Sequence, residues 1–241
     1  MGKVIMSGIV PQLEAPSTGI LASDIAVGST VYLNENGSPV EYLVVNQGIP
    51  SESSLYDSSC DGTWLLRKDL IPEKQRWNGS GVHGYHNSEV CAYLSNTVIN
   101  RFDDAVKSTI KTVKIPYVSS YSGPVIQSGE NGLSTKLFLL SACEVGWRKS
   151  DSSGGSLPID GAMLSYFEEG SSGNTKRIAR LNGSGDYWWL RSQGVGYPNN
   201  PWGVTNSGEC GLIGGATAYG SRPALILPYK ARFDEETMIL K

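Results

Sequence analysis

Two kinds of side chain in this sequence could carry out covalent or acid–base chemistry, namely thiols with imidazoles and pairs of carboxylates. Cys60 or Cys91 could in principle act as a nucleophile with His83 or His86 as its base. A reactive thiol needs neighbours that lower its pKa, and nothing in the spacing places these groups together. The chain has neither a GxxxxGK(S/T) motif nor a GxSxG motif, and GSGVHG at 79–84 differs from GxGxxG. These residues therefore indicate no nucleophilic or nucleotide-dependent enzyme.

Carboxylate pairs are the second candidate, because a glycoside hydrolase needs two acidic side chains that face one cleft, about 5–10 Å apart. Asp103–Asp104 and Glu168–Glu169 are adjacent in sequence. Neighbouring residues on a helix point in different directions, which is more typical of solvated surfaces. The other acidic candidates are Asp57, Asp61 and Asp186. We expect no catalytic residues, and a cell-wall or polysaccharide hydrolase that depends on Asp186 is the alternative.

Residues that could bind a metal are few and lack the usual spacing. The histidines are His83 and His86, and the cysteines are scattered with no CxxC pair, whereas structural zinc sites have short, regular ligand spacing. The acidic loop DSSCDG (57–62) lacks the spaced carboxylates and the final Glu of an EF-hand. We therefore expect no metal and no cofactor, with a calcium site formed by other loops as the open alternative. The cysteines are expected to be buried thiols.

The residues best suited to recognition lie in one glycine-rich stretch, residues 193–220. Glu209 is its single charged residue, and its aromatic side chains are mixed with Asn, Ser and Gly, a composition typical of antibody binding loops. Such groups suit a protein or a sugar equally, and a surface loop without a partner is the alternative. The predicted ligand-binding residues are Tyr197, Asn199, Asn200, Trp202, Thr205, Asn206 and Tyr219. Alanine at Trp202 is therefore expected to weaken binding with little change in Tm.

Four large side chains that flank this stretch are predicted to hold it in place. Trp188 and Trp189 are adjacent, so on a strand one faces the core and the other faces a second layer. Arg191 follows on the same side as Trp189, and Arg222 precedes Pro223 at the start of the last predicted strand. A buried guanidinium has several N–H donors that can bind loop carbonyls. We therefore predict that these four residues are scaffold rather than ligand contacts.

The elements that must position these residues are short and mixed. Two alternating apolar runs joined by Asn36–Gly37 predict a β-hairpin. Ser88 and apolar residues at helical spacing predict a helix over 88–102, with shorter helices expected over 103–113 and 162–169. We expect an α+β fold with two main helices, several short antiparallel strands and long Gly/Ser/Asn-rich loops. Further strands are predicted at 63–68, 135–141, 186–192, 202–209 and 221–229.

Composition places the chain among acidic, glycine-rich globular proteins. Of 241 residues, 29 are Gly and 18% are charged, and the net charge is −3, so the sequence lacks the basic patch of a nucleic-acid-binding protein. No apolar run approaches the roughly 18 residues that span a bilayer, and we expect no secretory signal at the N-terminus. We expect an N-terminal arm over 1–28, a single ligand-binding domain over 29–241, no nucleic-acid partner and no membrane insertion.

The C-terminal region resembles a known group of proteins. DYWWLRS (186–192) followed by GSRPALILP (220–228) is similar to the C-terminal signature of an uncharacterised family of phage and prophage tail proteins and gut-bacterial surface proteins. MSGIVPQL, VEYLVVNQGIP, SLYDSSCDGTWLLRKD and KLFLLSACEVGW also resemble its members, so the resemblance covers nearly the whole chain. The order of elements is more weakly similar to the C-type-lectin-like fold of diversified phage receptor-binding proteins and formylglycine-generating enzymes.

The resemblance implies a C-type-lectin-like domain that acts as a phage or prophage tail adhesin and recognises a bacterial surface glycan or protein. It implies that residues 1–28 attach the domain to tail or fibre proteins, as a homotrimer. The expected location is the virion tail, or the bacterial cytoplasm before assembly. Formylglycine-generating activity is not implied, because Cys210 stands alone in a glycine-rich loop. A structural virion component without a ligand is the alternative, with residues 193–220 buried against a neighbouring subunit.

Overall fold

The chain forms many short strands and few helices. A computed structural model describes residues 18–51, 53–79, 83–122, 125–148, 150 and 156–241. The α-helices in these ranges are Glu89–Asn96 (α1), Asp104–Thr109 (α2) and Asn174–Arg177 (α3). The strands are Ile20–Leu21 (β1), Thr30–Glu35 (β2), Ser38–Gln47 (β3), Thr63–Arg67 (β4), Gln75–Arg76 (β5), Val113–Ile115 (β6), Tyr117–Val118 (β7), Ile126–Gln127 (β8), Leu133–Thr135 (β9), Ala179–Leu181 (β10), Ser184–Asp186 (β11), Trp188–Gln193 (β12), Pro201–Val204 (β13), Cys210–Leu212 (β14), Ala218–Tyr219 (β15), Ala224–Leu227 (β16) and Arg232–Phe233 (β17). The predicted α+β class with short antiparallel strands is confirmed.

Among the described strands, the largest sheet is antiparallel and has the order β16-β4-β3-β2. β2 and β3 form the predicted hairpin, which turns at Asn36 (φ 52°) and Gly37 (φ 75°). Both residues have positive φ, as the central positions of a type I′ turn require. All five residues of β4 are buried, so both faces of this strand are covered. The sheet therefore lies at the centre of the core.

The predicted helix over 88–102 forms only in its first half. Ser88 Oγ accepts a hydrogen bond from Cys91 N at 3.1 Å and caps α1, as Ser commonly does at this position. The chain then tightens into a 3₁₀ turn over 98–101. Three consecutive β-branched residues at 97–99 weaken the α-helix at this point, because their side chains lose rotamer freedom against the preceding turn.

Residues 162–169 are not helical, so the prediction of a helix there was wrong. Their backbone is bonded to distant segments instead. Leu164 N donates to Glu144 O at 3.0 Å, and Tyr166 N donates to Val45 O at 3.0 Å. These tertiary hydrogen bonds outweigh a helical side-chain pattern, because helix propensity contributes little over so short a segment.

Of the predicted strands, β4, β12 and β16 form where expected. The segment over 202–209 is a strand only as far as Val204 and then turns. The segment over 135–141 is irregular beyond Thr135 except for one bridge, so that strand prediction was wrong. Its apolar residues are nonetheless buried. The apolar run therefore marks the core without marking a strand.

A second antiparallel sheet, β12-β13-β14, carries the predicted recognition region. All six residues of β12 are buried. β5 and β15 form a separate two-stranded ladder, with Ala218 opposite Arg76 and Tyr219 opposite Gln75. Trp189 Nε1 donates to Gln75 O at 2.8 Å. This hydrogen bond fastens the β5–β15 ladder to β12.

Part of the predicted N-terminal arm packs on the domain. Residues 1–17 lie outside the described residues, but β1 pairs with β17 and Ala22 is fully buried. Lys241 Nζ donates to Thr18 O at 3.1 Å, so the first described residue meets the last one. Within the described ranges, none of the helices has the length and apolar character that crossing a bilayer requires.

Gly208→Ala is expected to lower the free energy of unfolding by about 2–4 kcal/mol, the combined cost of a left-handed backbone and an overpacked contact. Gly208 has φ of 88°, and an added Cβ would overlap the Asn174 carbonyl oxygen. Gly211→Ala is the matched control in β14, because an added Cβ there meets nothing within 4 Å. Urea unfolding of both variants measures the difference. Equal losses in the two variants would contradict this account of the turn.

Candidate functional site

A groove opens on the surface where residues 77–79, 198–201 and 214–216 meet. Its volume is about 260 Å³, which is smaller than a typical pocket for a drug-sized ligand, roughly 300–1,000 Å³. It can therefore accommodate one end of a larger ligand. The second and third of these segments belong to the predicted recognition region. We refer to this feature as the groove.

Backbone hydrogen bonds hold the three segments of the groove together. Asn78 N donates to Gly215 O at 3.1 Å, and Gly215 N donates to Asn199 O at 2.9 Å. Gly194 N donates to Asn200 O at 3.2 Å and closes the turn that precedes β13. Because these bonds exist before a ligand arrives, binding at the groove loses little conformational entropy.

Trp77 forms the aromatic wall of the groove, although its ring is almost fully buried. Its Nε1 donates to Leu190 O at 2.8 Å, and its ring lies 6.4 Å from the ring of Tyr85. The sequence prediction missed the whole 77–79 segment, which is distant from residues 193–220 along the chain. The available signal is an aromatic residue followed directly by an Asn-Gly pair, a combination typical of a turn.

The groove is lined by uncharged side chains, with no Asp, Glu, Lys, Arg or His in its three segments. Among the described residues, the side-chain amides of Asn199 and Asn200 have no hydrogen-bond partner. They can therefore donate to and accept from a ligand. Pro198 and Pro201 add apolar ring faces. This lining suits hydrogen bonding and apolar contact, and it offers no side chain for general acid–base catalysis.

The structure separates the predicted ligand-binding residues into four places. Tyr197, Asn199 and Asn200 lie at the groove end of β13, where Tyr197 is 49% exposed. Thr205 and Asn206 lie in the turn after the other end of β13. The four residues of β13 put about 13 Å of strand between these two groups. They cannot all line one small site.

Tyr219 lies in a third place, on β15. Its ring stacks on Tyr187 with centroids 5.2 Å apart and planes inclined by 24°. The Trp189 ring packs against the Tyr219 ring in a T-shaped arrangement, with centroids 5.1 Å apart and planes inclined by 69°. Both tyrosines are half-buried, so they form a partly exposed aromatic surface. The β5–β15 ladder connects this tyrosine pair to the groove.

Trp202 lies in the fourth place, the core, where it is 3% exposed. Its Nε1 donates to Ser156 O at 3.4 Å, and its backbone pairs with Leu212 of β14. The predicted surface position of this side chain was therefore wrong. The physical reason is that all four residues of β13 are buried, so neither face of this strand is available to a ligand.

All four residues predicted as scaffold are buried, namely Trp188, Trp189, Arg191 and Arg222. The Arg191 guanidinium donates to both carboxylate oxygens of Glu144 at 2.5 Å, and neither side chain exposes any surface. It also donates to Pro116 O at 2.8 Å and to Leu139 O at 3.0 Å. A bidentate pair of this kind fixes the orientation of the segments that it joins.

Two further arginines, Arg222 and Arg177, are buried in the core. Arg222 lies over the Trp188 ring at 5.2 Å, and its Nε donates to Arg67 O at 2.8 Å. Burial lowers the pKa of this guanidinium to about 10, so it remains charged at neutral pH. Arg177, which the sequence prediction missed, donates to Gly208 O at 2.8 Å. It thereby ties the turn after β13 to α3.

The thiol and imidazole candidates are not arranged for nucleophilic catalysis. Burial raises the pKa of the Cys91 thiol, and it raises the pKa of the Cys60 thiol to about 12. Such thiols are protonated and unreactive at neutral pH. The rings of His83 and His86 pack on tyrosine rings. All four cysteines are buried and free, as predicted.

The carboxylate candidates are dispersed. Glu168 pairs with Lys176 at 2.8 Å, and Glu169 pairs with Arg148 at 2.6 Å, so these adjacent acids face different bases. Asp186 pairs with a lysine at 2.7 Å. In the part of the chain that the structure describes, no three His, Cys, Asp or Glu side chains cluster closely enough to hold a metal ion.

Asp160 is a fully buried carboxyl group in the scaffold. Its backbone oxygen accepts a hydrogen bond from Arg191 Nη2 at 3.0 Å, and its Oδ1 accepts one from Ser192 Oγ at 2.9 Å. Burial raises the pKa of this carboxyl to about 6. The native state therefore binds this proton more tightly than the unfolded chain, in which the pKa is about 3.9.

We expect the stability that Asp160 contributes to be greatest below about pH 4 and to be lost as the pH rises through about 6. Above that pH the Asp160 carboxyl is ionised in the native state, which must therefore keep a negative charge buried. The free energy of unfolding of the wild type minus that of Asp160→Asn should fall by about 2 kcal/mol between pH 4 and pH 7. A difference that stays constant over this range would contradict the prediction.

The groove lies within a recognised domain. A family model described as a domain of unknown function, DUF6273, matches residues 61–229, which is more than half of the 241 residues. The match begins after β3 and includes all three segments of the groove. Neither a curated protein nor a solved structure matches the chain. The chain belongs to the DUF6273 family.

Proposed function

We propose that this protein is a non-catalytic ligand-binding domain, a phage or prophage tail adhesin with a C-type-lectin-like fold. In this proposal the groove recognises a bacterial surface glycan or protein. The observation that carries the proposal is the groove itself, which is preformed by backbone hydrogen bonds, uncharged, and lined by the amides of Asn199 and Asn200. Apolar walls with a few well-placed polar groups are typical of ligand-binding sites.

The position of the groove relative to the chain ends supports an adhesin. The β4–β16 ladder is extended at one end by a hydrogen bond from Ile71 N to Ser221 O at 3.0 Å. Groove residues 77–79 and 214–216 connect to this end. Thr18 and Lys241 connect to the opposite end, where β1 meets β17. Such a domain can be attached through residues 1–28 at one end and present the groove at the other.

Attachment in several copies suits a groove of this size. A small groove makes few contacts, so a single copy is expected to bind weakly. Joining several copies on one tail, as in a homotrimer, can raise the overall affinity by about 10²–10⁴-fold without any new contact. Tail or fibre proteins bound through residues 1–28 are therefore the partners that this proposal requires.

Filling the groove tests the proposal. Ala216 is exposed and lines the groove, so we expect Ala216→Trp to fill it without disturbing the core. Binding to a strain from a panel of Gram-positive gut bacteria should fall at least about tenfold, equivalent to about 1.4 kcal/mol, while Tm stays unchanged. Flow cytometry with purified labelled protein, with and without EDTA, measures the binding. A loss of binding in EDTA would reveal a requirement for a metal ion, of which calcium is the candidate.

Asn206→Ala is the matched control, because Asn206 is exposed but lies in the turn after β13. It should bind like the wild type. Equal binding by Ala216→Trp and the wild type would exclude the groove as the site. If the wild type bound no strain, a structural virion component would be favoured instead. Hydrolysis of wall polysaccharide that disappears in Asp186→Asn would favour a hydrolase.

A further inference from the structure

We propose that a cleft at the end of the domain opposite the groove binds an acidic segment of the protein to which the domain is attached. The last turn of α2, the segment 228–232 and the two ends of the described chain line this cleft, and its volume is about 450 Å³. Ligand pockets usually measure roughly 300–1,000 Å³. The identity of the partner rests on the binding function proposed above, whereas the chemistry of the ligand follows from the cleft alone. We refer to this feature as the basic cleft.

Three cationic side chains line the basic cleft, namely Lys230, Arg232 and Lys241. None of the described residues that line it is acidic. The whole chain has a net charge of −3, so the cleft is a local concentration of positive charge. A cleft lined by one sign of charge focuses its field and attracts groups of the opposite charge. The segment that binds here is therefore expected to be acidic.

Two of these cations are available to a ligand. Lys230 is exposed and has no hydrogen bond or ion pair with any described residue. Arg232 is half-buried, and its side-chain bond among the described residues is to a backbone carbonyl, not to a carboxylate. Lys241 lies 3.3 Å from Asp234 Oδ2 and is partly neutralised by it. A carboxylate of the partner would therefore pair with Lys230 and with the guanidinium of Arg232, whose planar fork suits a carboxylate.

The neighbouring acidic residues limit where such a segment can lie. Thr18 and Lys241 also line a second recess, together with residues 234–236, which are Asp, Glu and Glu. The two shared residues therefore separate the basic cleft from an acidic surface. An acidic segment that continued past Lys241 would meet charges of its own sign, which is unfavourable. The segment is therefore expected to lie in the part of the cleft around Lys230 and Arg232.

The α2 wall of the basic cleft favours a peptide over a phosphate-rich polymer. Ser108 and Thr109 line this wall, and their hydroxyl groups donate to Ala105 O at 2.8 and 2.9 Å. Because a hydroxyl has a single proton to donate, these two oxygens can only accept a hydrogen bond from a ligand. A peptide has backbone N–H groups that can donate to them, whereas an ionised phosphate group offers only acceptors. Carboxylates for the cations and N–H groups for the hydroxyls are both present in an acidic peptide.

The basic cleft adjoins the segment that the proposed function assigns to attachment. Arg232 and Ala231 line the cleft. Arg232 Nη1 donates to Gly19 O at 2.7 Å, and Ala22 N donates to Ala231 O at 2.8 Å. These hydrogen bonds fasten the start of the described chain beside the cleft. A protein that holds residues 1–28 therefore lies next to it.

Titration of the full chain with a labelled, capped peptide of alternating Glu and Gly tests the inference by fluorescence anisotropy. A peptide of Gln and Gly should not bind. Raising the salt from about 0.1 M to 1 M, which shortens the Debye length from about 10 Å to about 3 Å, should weaken binding of the Glu peptide at least tenfold. Absence of binding by the Glu peptide, or equal binding of the Gln peptide, would overturn the inference.

Lys230→Glu should bind the Glu peptide at least tenfold more weakly than the wild type, with an unchanged Tm. Arg180→Glu is the matched control, because Arg180 is exposed on β10, outside the residues that line the cleft, and its variant has the same net charge. It should bind like the wild type. Equal losses in both variants would reflect net charge alone and would overturn the assignment to the cleft.

Two further outcomes would overturn the proposed ligand. Inorganic polyphosphate that binds more tightly than the Glu peptide, and loses affinity in Lys230→Glu, would assign the cleft to phosphate polymers. The chain's own acidic residue before the cleft is Glu14. Tighter peptide binding by Glu14→Gln than by the wild type would show that this residue competes for the cleft, in place of a partner.

Cell binding separates this inference from the proposed function. Lys230→Glu should bind bacteria like the wild type, because the groove lies at the other end of the domain. Wild-type protein that binds a strain but not the Glu peptide would overturn the inference and leave the proposed function standing. Wild-type protein that binds the Glu peptide but no strain would overturn the proposed function and leave the acidic ligand of the basic cleft standing.

Discussion

Glu144→Gln is expected to lower the free energy of unfolding by about 3–5 kcal/mol, because it leaves a buried guanidinium without its bidentate partner. The Arg191–Glu144 pair exposes no side-chain surface. Glu144 also accepts hydrogen bonds from Tyr56 Oη at 2.8 Å and from Ser141 N at 2.9 Å. These donors lose an anionic acceptor in the variant. Urea unfolding at pH 7 measures the loss.

Glu169→Gln is the matched control for this prediction, because Glu169 pairs with Arg148 at 2.6 Å and both side chains are about half exposed. Exposed pairs contribute little, so the expected loss is below about 1 kcal/mol. A double variant, Glu144→Gln with Arg191→Met, should recover part of the loss, since it removes the buried charge itself. Similar losses in the two single variants would contradict the importance assigned to the buried pair.

The buried pair also has a consequence for the groove. Arg191 is adjacent in β12 to Leu190, whose carbonyl oxygen accepts the hydrogen bond from Trp77 Nε1 at 2.8 Å. We therefore expect disturbance of the pair to shift the strand that positions the aromatic wall of the groove. We expect folded Glu144→Gln protein to bind ligand more weakly than Glu169→Gln protein. The groove has the same lining residues in both variants, so a difference in binding would reflect a less rigid groove in Glu144→Gln.

Trp202→Ala is expected to lower the free energy of unfolding by about 3–5 kcal/mol, the usual cost of removing a large buried aromatic side chain. Trp202 is 3% exposed, and its Nε1 donates to Ser156 O at 3.4 Å. The variant leaves a cavity beside β13 and removes one of the hydrogen bonds to Ser156 O, which also accepts from Val195 N at 2.9 Å. Denaturant unfolding checks the prediction.

Tyr197→Ala is the control, since Tyr197 is 49% exposed beside the groove. A surface change of this kind is expected to alter the free energy of unfolding by no more than about 0.5 kcal/mol. We expect this variant to weaken cell binding with little change in Tm, the behaviour that residue types alone had predicted for Trp202. An unchanged Tm for Trp202→Ala would show that its side chain is exposed after all.

Residue types predicted the general region of the candidate site but not its composition. Residues 198–201 and 214–216 fall within the glycine-rich stretch 193–220 that composition marked for recognition. Composition could not separate the groove from the turn containing Thr205 and Asn206, because both contain Asn and Gly residues. It could not detect residues 77–79, since no local pattern connects them with a distant segment.

The sequence by itself determined the features that depend on a few neighbouring residues. Asn36–Gly37 produced the predicted hairpin, because these residues tolerate the positive φ of its turn. Ser88 produced the start of α1, because its hydroxyl reaches the backbone N–H of Cys91. Both effects act over three or four residues, so they appear in the sequence pattern.

Only the tertiary structure decided where Trp202 lies and which segments form the groove. Trp202 is buried because β13 is covered on both faces, and the groove exists because Asn78 N meets Gly215 O at 3.1 Å. Each result depends on contacts between residues that are far apart along the chain. Such contacts are set by the packing of the whole core, and one tryptophan or one Asn-Gly pair carries no local sign of them.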